Sequence, residues 1–92
     1  MRPAVSLKLR SRINLEPDTE GECGMLFDTQ TAVICACNST GWVLVEAMKK
    51  GAHVARLTDL LTEQFDIDED TARKDVLSLV KELRTLDMLE AK

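Results

Sequence analysis

Aromatic side chains are nearly missing: Trp42, Phe27 and Phe65 are the whole set, 3% of 92 residues, and there is no tyrosine. Any core must therefore be built from Leu, Val, Ile and Ala, and the stacking platforms used by single-strand nucleic-acid binders are lacking. An excess of positive charge is lacking too. The net charge is −4, which weighs against nucleic acid as a partner, since affinity there comes chiefly from neutralising phosphates. No apolar run approaches the length of a membrane span, and Met1-Arg2-Pro3-Ala4-Val5 has no signal-peptide apolar core, so a cytoplasmic location and no membrane partner are expected. The three cysteines, Cys23, Cys35 and Cys37, are odd in number and form no CxxC. That argues against a disulfide framework, and cytosolic thiols stay reduced in any case.

What remains is a chain that is 45% hydrophobic, which excludes disorder. Its length suits one domain over 1–92, large enough for a modest core and too small for a core plus a buried catalytic cleft. The expectation is a binding protein and no enzyme.

Between 5 and 15 the odd positions are Val5, Leu7, Leu9, Ser11, Ile13 and Leu15, apolar but for Ser11, and the even ones are Ser6, Lys8, Arg10, Arg12 and Asn14, with Glu16 next. Such alternation predicts a half-buried strand, bent or broken near Ser11. Pro17-Asp18-Thr19-Glu20-Gly21 supplies a turn. A second strand is expected over 22–27, a turn at Asp28-Thr29-Gln30-Thr31, and a third strand formed by Ala32, Val33, Ile34, Cys35, Ala36 and Cys37. That third strand is apolar on both faces, and the helices can cover only one. Its outer face or free edge is thus expected to meet a partner.

Asn38 or Ser39 caps a first helix reaching about Lys50, with Val43, Leu44 and Ala47 inward and Gly51 closing it. A second helix over 54–64 spaces Leu57, Leu61 and Phe65 by four, on one face. Asp68 caps a third helix, with Glu69 and Asp70 in its first turn and Ile67 stapled to Ala72; the helix should last to about Asp87. The fold class that follows is α+β: a three-stranded antiparallel sheet within 5–37, then three helices within 39–88, in a winged helix-turn-helix-like order.

At 3.6 residues per turn, Ala72, Val76, Leu79, Val80, Leu83 and Leu86 form the core stripe of the third helix, and Asp75, Ser78, Glu82 and Thr85 lie on the solvent side. A third stripe, Arg73, Leu77, Lys81, Arg84 and Met88, is basic and apolar together and adjoins the core. It would suit an extended segment carrying Leu or Ile anchors and carboxylates. The plainer reading is that Arg and Lys stems cover the core's edge and Leu77 is an ordinary surface leucine.

In sequence order, Leu26-Phe27-Asp28, Asn38-Ser39-Thr40-Gly41, then Val54, Leu57, Leu61 and Phe65-Asp66-Ile67, then Asp75-Val76, Val80, Leu83 and Asp87-Met88-Leu89 match a known pattern. Over roughly two-thirds of the chain it resembles the peptide-recognition domains of ribosomal-peptide maturation, of the pyrroloquinoline-quinone biosynthesis protein D (PqqD) type. Cys35 and Cys37 depart from it by replacing bulkier apolar residues, His53 stands where a Thr cap is usual, and Asp87 where the family tends to have Gly. The resemblance implies a non-catalytic peptide chaperone. It would capture the leader of a precursor peptide by β-strand addition and present it to a radical S-adenosylmethionine enzyme, cyclase or protease, in PQQ or other biosynthesis. Carried over by position, the peptide-binding residues are Ala32, Val33, Ile34, Cys35, Ala36 and Cys37 on the strand and Arg73, Leu77, Lys81 and Arg84 on the helix. The free strand edge could also pair two copies, so the protein is expected as a monomer or a weak dimer.

Other chemistries fit less well. Cys23, Cys35, Cys37 and His53 could make up a zinc set, but Cys35 and Cys37 share one strand face at core positions, where a free cysteine behaves as a small hydrophobe. No metal or cofactor is expected. A Cys–His nucleophile lacks an orienting carboxylate. Asp66, Asp68, Glu69 and Asp70 lack calcium-loop spacing and its glycine, and helix capping accounts for them. The main alternative is a winged-helix DNA-binding regulator, with Arg73, Lys74, Lys81 and Arg84 facing phosphates. Against it, the third helix leads with Asp68, Glu69 and Asp70.

Overall fold

The computed structural model describes residues 6–90. Strands β1 (Ile13–Pro17), β2 (Gly24–Asp28) and β3 (Ile34–Cys37) precede helices α1 (Ser39–Lys50), α2 (Val54–Gln64) and α3 (Glu69–Thr85). The sheet is antiparallel in the order β1-β2-β3, so β3 is an edge strand.

The alternating segment before Ser11 keeps its in–out pattern but joins the sheet nowhere. Leu7 and Leu9 are buried and make single bridges, Leu7 to Ala52 and Leu9 to Leu89. Leu7 N–H donates to Ala52 O at 2.8 Å and Glu90 N–H to Lys8 O at 2.8 Å, so this segment laces the α1–α2 connection to the chain after α3. A turn at Ser11 and Arg12, closed by Ile13 N–H to Arg10 O at 3.0 Å, separates it from β1. Val5, expected in the same strand, lies outside the described residues.

The helix caps act as the sequence predicts. Asn38 Oδ1 accepts from Gly41 N–H at 2.9 Å, satisfying one of the orphan donors of α1. Asp68 accepts from Thr71 N–H and, at 2.6 Å, from Thr71 Oγ1. Leu57 and Leu61 are fully buried, while Phe65 is the half-buried residue that closes α2. On α1 the inward side chains are Trp42, Leu44, Val45 and Met48. Val43, expected inward, is half-exposed, because the helix turns Trp42 and Val45, three residues apart, onto the core instead.

Two expectations about the end of α3 are corrected. The helix stops at Thr85, and Asp87 takes φ 58°, a left-handed conformation that glycine adopts without strain. That reversal swings Met88 off the helix and into the core, fully buried, so it belongs to no surface stripe.

Asp28 holds the β2–β3 turn. Its carboxylate is fully buried and accepts from Arg12 Nε at 3.0 and 3.1 Å, from Gln30 N–H at 2.9 Å and from Thr31 N–H at 3.2 Å. Arg12 Nη2 reaches on to Asp87 O at 2.9 Å, and Arg10 Nη2 to Asp87 Oδ1 at 2.7 Å. One cluster thus ties the sheet's turn to the end of the last helix.

In the same turn, Ala32 sits at φ 64° and is exposed. Left-handed backbone costs a residue with a Cβ about 1 kcal/mol or more, and glycine almost nothing. Ala32→Gly is therefore expected to stabilise the fold by about 1 kcal/mol, read as a raised midpoint in urea unfolding with an unchanged slope.

Candidate peptide-binding groove

The free edge of β3 follows from its ladder. Asp28 N–H donates to Val33 O at 2.9 Å, and the pairs below are Leu26 with Cys35 and Gly24 with Cys37. In an antiparallel pair the backbone groups of alternate residues face the neighbour. Val33, Cys35 and Cys37 therefore bond β2, and Ile34 and Ala36 aim their N–H and C=O groups away from the sheet. Side chains divide the other way. Val33, Cys35 and Cys37 pack against the core, and Ile34 is 60% exposed beside the exposed Met25 and half-buried Phe27. Ala32 precedes the strand, in the turn.

Beside β3 runs a groove of about 270 Å³ lined by Ala36, Cys37, Asn38, Thr40, Gly41, Leu44, Asp75, Ser78, Leu79 and Glu82. Leu44, Leu79, Ala36 and Cys37 give it apolar lining, and Asn38, Thr40 and Ser78 add polar groups. The wall from α3 is acidic. The side chains of Asp75 and Glu82 have no hydrogen-bond or ion-pair partner among the described residues.

The stripe foreseen as the helical half of the site stands elsewhere. Leu77, 49% exposed, and Arg84 line a depression with Leu7, His53, Val54, Ala55 and Val80. Lys81 adjoins it with Thr85, and Arg73 is exposed on the same side of α3. A helix has two flanks next to its core stripe, here about 140° apart at 100° per residue. Arg73, Leu77, Lys81 and Arg84 occupy the flank away from β3, while Asp75, Ser78 and Glu82, read as solvent-facing, occupy the flank beside it. A sequence signal for this existed: Leu79 and Leu86 extend the apolar stripe towards Asp75 and Glu82.

The thiols are poor nucleophiles. Burial, then the neighbouring Cys35 and Glu82, pushes the Cys37 thiol up to about 11. Burial and Glu82 likewise raise Cys35. Both stay protonated near neutral pH and serve as small apolar surface. Cys23 lies apart, its Sγ 3.1 Å from Asp18 Oδ2. Among the described residues no group of three or more His, Cys, Asp or Glu side chains is placed to hold a metal ion, and no helix is long and apolar enough to cross a membrane.

The family model for coenzyme PQQ synthesis protein D (PqqD) matches residues 23–89, from the start of β2 to the segment after α3. The chain belongs to the PqqD family. No curated protein matches it at a significant level. Among solved structures, this PqqD-family fold is similar to a lasso peptide synthetase B1 complexed with the leader peptide. The TM-score is 0.79 at 22% identity, over 95% of this chain and 100% of that one. It is also similar to TbiB1 in complex with the TbiA(beta) leader peptide, with a TM-score of 0.81 at 15% identity, over 92% of this chain and 96% of that one. At these identities the likeness establishes the PqqD-type fold: three antiparallel strands followed by three helices.

Proposed function

We propose that this PqqD-family protein captures the leader segment of a ribosomally made precursor peptide and presents it to a separate modifying enzyme, with no reaction of its own. The observation that carries the reading is the unpaired edge of β3 lying alongside an open groove. An extended segment added to that edge would bond the outward N–H and C=O groups of Ile34 and Ala36 and set alternate side chains against α3. Two structural neighbours, both solved with leader peptides, support it. The partner enzyme would be a radical S-adenosylmethionine enzyme, a cyclase or a protease.

Of the residues foreseen for the site, Ile34 and Ala36 keep a proposed role through their backbone and Cys37 through the groove lining, while Ala32 lies in the turn and Val33 and Cys35 hold the strand to β2 and the core. The helical contribution is reassigned to Asp75, Ser78, Leu79 and Glu82. DNA binding gains nothing from the geometry, since α3 opens with exposed Glu69 and Asp70, which would face phosphates.

The test is a ¹⁵N-NMR titration with candidate leaders encoded in short reading frames beside the gene. Amide shifts are expected in Ile34, Cys35, Ala36 and Cys37 and in Asp75, Ser78, Leu79 and Glu82. Shifts confined to Leu77, Lys81 and Arg84 would move the site to the other flank. A spectrum that answers only to duplex DNA would replace the reading with the DNA-binding one.

A further inference from the structure

The charge of the groove says what kind of segment it selects. Asp75 and Glu82 stand seven residues apart on α3, a rise of about 10 Å along the helix, with Leu79 between them and Leu44 and Cys37 behind. No lysine or arginine lines the groove. Glu82 stands close enough to Cys35 and Cys37 to raise both thiols, so its charge is felt at β3 itself. Both carboxylates lack partners among the described residues, although the protein has twelve Lys and Arg to offer. Unneutralised carboxylates on either side of Leu79, next to unpaired strand backbone, make a receptor for an extended cationic segment.

Resting on the peptide-capture reading above, the geometry points to a basic leader. An extended chain repeats its inward side chains at about 6.6 Å, so inward positions i and i+4 lie about 13 Å apart. Flexible Lys or Arg side chains span the difference from the helix rise. The selected segment carries Lys or Arg at i and i+4, opposite Asp75 and Glu82, and an apolar residue at i+2 over Leu79, Leu44 and Cys37. The net charge of −4 adds long-range attraction for such a segment. This reverses the acidic segment that the Arg73, Leu77, Lys81 and Arg84 stripe had suggested.

The experiment is selection from a displayed library of random dodecapeptides, run in parallel on the native protein and on Asp75→Lys/Glu82→Lys. Both positions are exposed, and circular dichroism checks that the variant folds. The native protein is expected to enrich Lys or Arg four positions apart around an apolar residue, and the variant to enrich Asp or Glu there. A synthetic peptide from the native selection should bind the variant about tenfold or more weakly, with the difference shrinking as salt is raised. Native enrichment of acidic or purely apolar peptides would overturn the basic-leader inference and leave peptide capture standing. No enrichment by either protein would overturn peptide capture, and this inference with it.

Discussion

Asp28→Ala is expected to lower the melting temperature by about 10 °C or more. The substitution leaves Arg12 without the carboxylate it grips at 3.0 and 3.1 Å and strips the Gln30 and Thr31 N–H groups of their acceptor. All of this happens at a fully buried position, where an orphaned donor costs most. Asp28→Asn keeps an acceptor for the two N–H groups and loses only the charge facing Arg12, so its loss should be smaller. The pH dependence separates the two effects. Burial alone would push the Asp28 carboxyl up, but the Gln30 N–H, Arg12 and Thr31 N–H outweigh it and hold it below the ordinary value of 3.8. Asp87, held by Arg10 and Arg12, is lowered as well. A carboxyl lowered by folding stabilises the native state fully above its unfolded value and ceases to do so as pH falls through its folded value. Thermal stability should therefore hold from neutral pH to about 4 and fall below it. The fall should be shallower in Asp28→Asn. An Asp28→Asn protein with the native acid limb would assign that limb to Asp87 and the other carboxylates.

Asp28 also marks where sequence reading reached its limit. Its place at the end of a Leu-Phe-Asp strand was legible as a turn, but nothing in the sequence pairs it with Arg12, sixteen residues earlier. Local signals fared well because local physics sets them. The caps Asn38 and Asp68, the four-residue spacing of Leu57 and Leu61, and the alternation of Leu7, Leu9 and Ile13 each describe neighbours a few ångströms apart. The burial of Met88 escapes helical periodicity because it turns on the left-handed conformation of Asp87, whose signal in the sequence is only that the resemblance puts Gly there. The candidate site divided along the same line. The apolar third strand and its exposed edge were legible from composition. Which flank of α3 meets that edge is set by how α3 packs on α2 and the sheet, and the lean of Leu79 and Leu86 towards Asp75 and Glu82 is the one hint of it in the helical pattern. Arg73, Leu77, Lys81 and Arg84 combine basic and apolar character in one stripe, whereas Asp75, Ser78 and Glu82 have the composition of any solvated face.

Ala36→Pro is expected to weaken leader binding about tenfold to a hundredfold while leaving the fold intact. The N–H of Ala36 points away from the sheet, because the ladder to β2 runs through Val33, Cys35 and Cys37. Proline there removes no bond of the native protein, and edge strands tolerate it where the missing N–H faces solvent. An added strand, however, loses one donor, is left with a buried unpaired carbonyl, and meets the proline ring at its line of approach. Cys35→Pro makes the contrast: its N–H serves β2, so the same ring should unfold the end of the sheet rather than only block a ligand. Leu77→Asp with Lys81→Glu is the control on the far flank of α3, beside Leu7 and Val54, and should leave affinity unchanged. Isothermal titration calorimetry with a leader identified by the NMR titration, alongside thermal melts, reads both quantities. Folded Ala36→Pro protein that binds as tightly as native would rule out strand addition at β3. Loss of binding in the Leu77/Lys81 variant alone would move the ligand to the basic stripe.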